Sequence, residues 1–447
     1  MLDFFTFIDD FVWGPPLLVL LVGTGIYLTI RLGLLQIIRL PKAFKLIFAE
    51  DKGEGDISSF AALATALAAT IGTGNIVGVA TAIKTGGPGA LFWMWIAAFF
   101  GMATKYAEGL LAIKFRTLDD QGNVSGGPMY YITHGFSGKW QIIAKPLAYF
   151  FAFAGVLVAW LGIGTFSQVN SITSSLQNSF GWSPKIVSVI LALITAAIIF
   201  GGIQSISKVS EKVVPFMAGL YIIAALIVIF ANFNQLLPVL EMVFQSAFTG
   251  KAAVGGFAGA TVMAAMRLGI ARGVFSNESG LGSAPIAAAA AKTEEPVEQG
   301  LISMTGTFID TIIICTLTGL AILVTGQWSG SLEGAPMTQA AFSSIFGTFG
   351  ELALTLSLVL FAFTTVLGWS YYGERCFEFI FKSTKFLSFY RIIFVVMVAL
   401  GGYLTLEVVW KIADIVNGLM ALPNLIALLV LSPIILKESK SYFERHK

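Results

Sequence analysis

Eleven stretches of this sequence are long and apolar enough to cross a lipid bilayer, and that feature constrains the fold more than any other. A spanning helix takes about 20 mostly apolar residues. The stretches run 15–38, 57–83, 87–113, 146–176, 186–202, 213–231, 255–291, 300–325, 350–373, 387–405 and 411–436. The expectation is an all-α integral membrane protein with 11 transmembrane helices. Only 12% of the 447 residues are charged and 56% are hydrophobic, where a soluble domain carries about 25% charged residues.

Lys and Arg fix the direction of the spans. The connections after odd-numbered spans, the span ends adjoining them and the C-terminal tail hold 20 of the 27. The remaining connections hold Lys84, Lys185, Lys251 and Lys411. By the positive-inside rule the N-terminus lies outside the cell membrane and the C-terminus is cytoplasmic. The opening MLDFFTFIDDFVWG lacks the basic start of a signal peptide. It reads as a short interfacial helix turning Phe4, Phe5, Phe7, Ile8 and Phe11 to lipid.

Two spans are interrupted. Span two carries Gly72-Thr73-Gly74-Asn75 near its midpoint, and span seven carries Gly273 to Gly280 together with Arg267, Arg272 and Glu278. Glycine costs a helix interior about 1 kcal/mol relative to alanine, so something offsets the interruption. Five spans separate the pair, and an odd offset reverses direction. Broken helices at matching places in two oppositely directed halves mark an inverted-repeat transporter with its site at the midplane. The expected organisation is an N-terminal segment with one extra helix (1–56), a first repeat (57–231), an external connection (232–254), a second repeat (255–436) and a cytoplasmic tail (437–447).

An unwound turn leaves amides and carbonyls without helical partners, which lipid tolerates only around a cavity or ligand. The half-helix beginning after a break offers amides and a partial positive charge, suited to a carboxylate. The half-helix ending there offers carbonyls, suited to Na⁺ or an ammonium. Thr73, Gly74 and Asn75 are therefore expected to receive a substrate carboxylate. Gly273, Val274, Phe275 and Ser276 are expected to face its amino group. Close helix packing by small residues is the competing reading of either segment.

Other polar residues in the spans carry two readings each. Gln168 is a substrate contact or a helix–helix hydrogen bond. Thr364 and Thr365 complete a sodium shell with the carbonyls of Ala68 and Ile71, or bond their own preceding turn. Trp369 walls the pocket or packs. Lys105 and Glu108, three residues apart, are expected to neutralise each other. Arg272 reads as a gate, Glu278 as a partner of free amides or a proton carrier, and Asp310 as a packing anchor or an ion-path residue. His134, His446, Cys315 and Cys376 form no metal or catalytic constellation, which sets an enzyme last, and no filter-like repeat points to a channel.

Four stretches carry a family resemblance. GGPGALFWMWIAAFFG at 86–101 resembles the signature of the alanine or glycine:cation symporter family (the sodium:alanine symporters). GTGNIVGVATAI at 72–83, SGGPMYYI at 125–132 and GVFSNESGLGSAPIAAAAA at 273–291 are similar to its other characteristic stretches. The resemblance runs from about residue 10 to 435. It implies sodium-coupled, less often proton-coupled, uptake of alanine or glycine through a LeuT-type five-plus-five fold. It implies substrate at Thr73, Gly74, Asn75 and the Gly273–Ser276 strip, and sodium among Ala68, Ile71, Thr364 and Thr365. The tyrosine that often clamps the substrate carboxylate in related transporters has no counterpart on span four, and Gln168 stands in its place. Surroundings of membrane lipid follow; nucleic acid and an obligate protein partner do not.

Overall fold

A computed structural model describes residue 4 and residues 7–8, 11–51, 53–249, 262–403 and 406–446, with side chains of the last stretch from 411 onward. Phe5, Lys251 and the part of span seven before 262 lie outside the described residues. Phe4, Phe7 and Phe11 are exposed.

Helices make up nearly all of the described chain. Beside them stands one two-stranded hairpin, Thr117–Leu118 against Val124–Ser125, with Thr117 opposite Ser125. Each of the eleven apolar stretches contains helix, but not all as one long crossing. Among the described residues, seven helices are long and apolar enough to span, and the bent pair Ser59–Thr70 with Gly74–Gly86 makes an eighth. Pro15–Arg31 and Pro184–Ile199 are shorter.

The first interruption falls where the glycines place it. Ser58 caps the first half-helix by accepting from the Ala61 amide, and that helix ends at Thr70 as Ile71 swings to ψ 93°. The second half leaves at 51°. The second interruption is displaced from its expected place. Gly273, Val274, Phe275 and Ser276 remain helical, because Val262–Asn277 is continuous. The chain breaks over 278–283, where Glu278, Gly280 and Gly282 take φ of 57°, 87° and 82°; the short helix Ala284–Ala288 follows. Gly273 lies inside that helix against Met94, where a Cβ would make ordinary contact at 3.4 Å from Met94 Cα.

Span four holds a third interruption. Helix Gln141–Leu161 stops, and Phe166–Phe180 begins after Gly162–Thr165. Span eight runs through a π-helical stretch, Phe308–Cys315, which carries Asp310. A second π-helical turn, Gly74–Gly78, opens the second half of the first broken helix. Such turns are rare and concentrate at functional sites.

The connection after span six contains the helix Phe233–Thr249, pinned to Gly89–Lys114 by a bond from Trp93 Nε1 to the Ala247 carbonyl (3.2 Å). Helix Ser432–Arg445 crosses the expected boundary at 436/437. It docks through Tyr442 to Glu298 (2.8 Å), Lys114 to Glu438 (2.7 Å) and Arg445 to Glu295 (3.0 Å).

Candidate functional site

The first break is held open by its own asparagine. The Gly72 amide donates to Asn75 Oδ1 at 2.9 Å, so that oxygen closes the turn. Asn75 Nδ2 donates to Asp310 Oδ1 at 2.7 Å, joining the two π-helical turns. The other Asp310 oxygen accepts from the hydroxyls of Ser276 (2.8 Å) and Thr311 (2.7 Å). Asp310 thus ties both broken helices to span eight through one buried carboxylate. Hydrogen bonds to a buried charge are worth about 1.5–3 kcal/mol each, which offsets the cost of placing that charge in the membrane.

The two broken helices touch at Gly74 and Ser276. A Cβ on Gly74 would lie 2.9 Å from Ser276 Cα, so only glycine permits this approach. Thr73 and Gly74 sit in the first turn of the second half-helix, where amides have no intrahelical acceptor. The Thr73 amide meets Gln168 Oε1 at a long 3.3 Å. Thr73 Oγ1 and Gln168 Nε2 are buried without a partner among the described residues. Gln168, expected from the sequence, therefore does reach the first break, carried there by the helix that starts just past Gly162–Thr165.

Ala68, Ile71 and Thr365 are also brought together. Thr365 Oγ1 lies 3.1 Å from the Ala68 carbonyl and 3.4 Å from that of Ile71. A hydroxyl amid carbonyls, at the negative end of a half-helix, has the hard oxygen chemistry sodium takes. Both hydroxyls also donate to the Phe361 carbonyl of their own helix (3.0 Å each), but Thr364 turns to Met217 Sδ (3.6 Å) rather than to Ala68 and Ile71.

The second break is chemically full. Glu108 Oε1 accepts from the amides of Gly280 (3.1 Å) and Gly282 (3.2 Å) and from Asn424 Nδ2 (2.6 Å). Asn424 also bonds the Gly280 carbonyl (2.9 Å) and receives the Tyr131 hydroxyl. The Ser279 amide turns back to Asn277 Oδ1 at 2.9 Å. Glu278 bonds side chains rather than amides, taking Trp369 Nε1 at 2.8 Å and the Ser283 hydroxyl at 2.5 Å. Trp369 is fully buried and fixed at this second break. Lys105 and Glu108 do not neutralise each other by contact: Glu108 Oε1 is taken by the break, and neither Glu108 Oε2 nor Lys105 Nζ has a hydrogen-bond partner among the described residues. Three-residue spacing makes neighbours on a helix, but here the amides of the break outcompete the lysine.

Both faces of the site are shut. Toward the face bearing Trp13, Arg272 forms a two-pronged ion pair with Asp414, both prongs 2.9 Å, and its guanidinium lies 5.4 Å above the Phe275 ring. Trp13 Nε1 bonds the Asp414 carbonyl at 2.8 Å, so the extra N-terminal helix braces this closure. A cavity of about 560 Å³ reaches Arg272, lined also by Val77, Thr81, Ser171, Glu333 and Gln339. At the opposite face the lead-in to the first broken helix clasps the exit of the second. The amides of Asp56 and Ile57 donate to the Ala290 carbonyl (2.9 and 3.1 Å), and Ile57 bridges Ala291 in parallel. Arg116 binds four carbonyls across this seam, those of Glu54, Ala289, Ala291 and Thr293, at 2.7–2.9 Å.

Asp310 and Glu108 are the functional residues that sequence reasoning did not place. The available signal was Asn424, an unexplained amide in span eleven, since polar groups at that depth seek partners.

The sodium:alanine symporter family model matches residues 1–447. This chain belongs to that family. It is 51% identical to the sodium/alanine symporter AgcS of Methanococcus maripaludis, over 98% of this chain and 97% of AgcS. It is 39% identical to the probable sodium/glutamine symporter GlnT of Bacillus subtilis, over 98% of this chain and 90% of GlnT. The structure of MhsT in complex with L-phenylalanine aligns with a TM-score of 0.59 at 13% identity, covering 86% of this chain and 98% of that one. That likeness shows the fold, the LeuT type anticipated from the sequence. The chain is a multi-pass membrane protein of a transporter family whose members include a sodium/alanine symporter and a probable sodium/glutamine symporter.

Proposed function

We propose that this symporter couples inward movement of sodium to uptake of a small neutral amino acid, alanine or glycine, by alternating access. In this reading it is a carrier and no enzyme, with eleven crossings, the N-terminus outside and the C-terminus in the cytoplasm. Spans two to six and seven to eleven form the inverted halves. The Arg272–Asp414 pair closes the outer path and the Arg116 seam closes the inner one.

The observation that carries the proposal is the unequal chemistry of the two breaks. Glu108 already fills the amides of Gly280 and Gly282, so an incoming carboxylate goes to the amides of Thr73 and Gly74 at the first break. Sodium takes the carbonyls of Ala68 and Ile71 with the Thr365 hydroxyl, one turn away. The substrate's amino group then lies toward Ser276 and the end of Val262–Asn277, with Phe275 and Trp369 as apolar and aromatic walls. The close approach of Gly74 to Ser276 leaves little room beside the first break, which supports a small substrate side chain. Of the relatives, AgcS is named for alanine and GlnT for glutamine, and this close approach favours the smaller.

Uptake of labelled alanine into proteoliposomes tests the reading. An inward sodium gradient is expected to drive accumulation at least tenfold above a choline gradient. Equal uptake in both would overturn sodium as the coupling ion, and uptake driven instead by an inward proton gradient would put Asp310 or Glu278 in its place.

A further inference from the structure

Lys105 and Gln299 each bury a polar end that meets no partner. Lys105 is 3% exposed and Gln299 1%; neither Lys105 Nζ nor Gln299 Oε1 has a hydrogen bond among the described residues. Both line one cavity of about 20 Å³, with Thr70, Asn277 and Ser303 as its other polar residues among walls otherwise made of alanine, leucine and glycine. A polar cavity above roughly 10–15 Å³ holds one water. The chemistry of the walls selects that occupant. Lys105 repels a free cation, and the Gln299 oxygen disfavours an anion. A water satisfies both ends by accepting from Nζ and donating to Oε1.

The cavity's position gives the lysine a task. Thr70 ends the half-helix Ser59–Thr70, and Asn277 ends Val262–Asn277. The negative ends of the two interrupted helices therefore meet here, each equivalent to about half an elementary charge. The charge of Lys105 also reaches the carboxylates of Glu108, Glu278 and Asp310. Those groups take their hydrogen bonds from neutral donors, so the lysine balances them through space and remains hydrated.

We propose that Lys105 is a tethered cation of the transport site. Its ammonium, solvated by a water shared with Gln299, stands at the junction of the two helix ends where a free ion would otherwise bind. The ion stoichiometry is then set partly by the chain, which supplies one positive charge that never leaves. This deepens the sodium-coupled reading and rests on it.

Alanine binding as a function of sodium, measured on the purified full-length protein, tests both separately. Wild-type binding indifferent to sodium would sink the symport reading itself. Given sodium-dependent wild-type binding, Lys105→Met is expected to raise the half-saturating sodium at least tenfold and to steepen the curve by one ion, as sodium takes the vacated place. Lys105→Arg is expected to keep the wild-type slope. Complete loss of binding in the Met variant with the Arg variant intact supports the same charge requirement. A Met variant whose curve superimposes on the wild type overturns the proposal. So does equal loss in both variants, which would make the shape of Lys105 rather than its charge the requirement.

Discussion

Replacing Gly74 by alanine probes the contact on which the transport site depends. The added Cβ would lie 2.9 Å from Ser276 Cα and 3.2 Å from its Cβ. Carbon atoms pack best at about 3.5–4.0 Å, so the overlap is roughly 0.6 Å against a main-chain atom with little room to yield. Overpacking of this kind costs about 1–3 kcal/mol. Alanine also favours helix by about 1 kcal/mol, but that gain is common to the free and loaded protein and drops out of the binding comparison. At 1.4 kcal/mol per tenfold, alanine affinity at saturating sodium should fall by about 5- to 140-fold. Equilibrium binding of labelled alanine to purified protein reads this directly. Gly219→Ala is the control, because no atom lies within 4 Å of a Cβ there; its affinity should match the wild type. A folded Gly74→Ala protein that binds within twofold of wild type would refute the claim that the two breaks close on each other around the substrate.

Thr365→Val should raise the sodium needed for half-maximal binding at least tenfold, whereas Thr364→Val should change it less than threefold, since only the first hydroxyl faces Ala68 and Ile71. Sodium titrations of the two variants check the ranking, and equal effects would place the ion elsewhere. A disulfide between Ile57→Cys and Ala291→Cys should pin the Arg116 seam and cut uptake below a tenth of normal while leaving alanine binding from the outer face intact. Uptake should return on reduction, and unimpaired uptake in the oxidised protein would show that this seam does not part during transport.

The membrane-spanning helical character, the first break and the place of Gln168 beside it were legible because each rests on local chemistry: hydropathy, two glycines flanking a threonine, a lone amide in a membrane helix. The second break was misplaced because glycine serves two ends in a helix. Gly273 sits within a continuous helix, while Gly280 and Gly282 supply the turn, and residue type alone does not separate the two uses. The left-handed turn at Glu278 carries no sequence mark at all. The interruption at Gly162–Thr165 had its glycines in view but no counterpart in the other half to draw attention to it. Asp310 was visible as a charge and opaque as a function, since Asn75 lies 235 residues away. Spacing along a helix suggested Lys105 for Glu108; it could not reveal that two amides from a distant loop would compete for the same carboxylate.

The occupation of one bend by Glu108 has a directional consequence. Two bends running opposite ways would offer cargo two berths of opposite polarity, and a small zwitterion could lodge either end first. In the proposed site, with one set of amides bonded to Glu108, a single orientation is favoured. The filled bend is then structural, and its open twin is the one that receives the cargo.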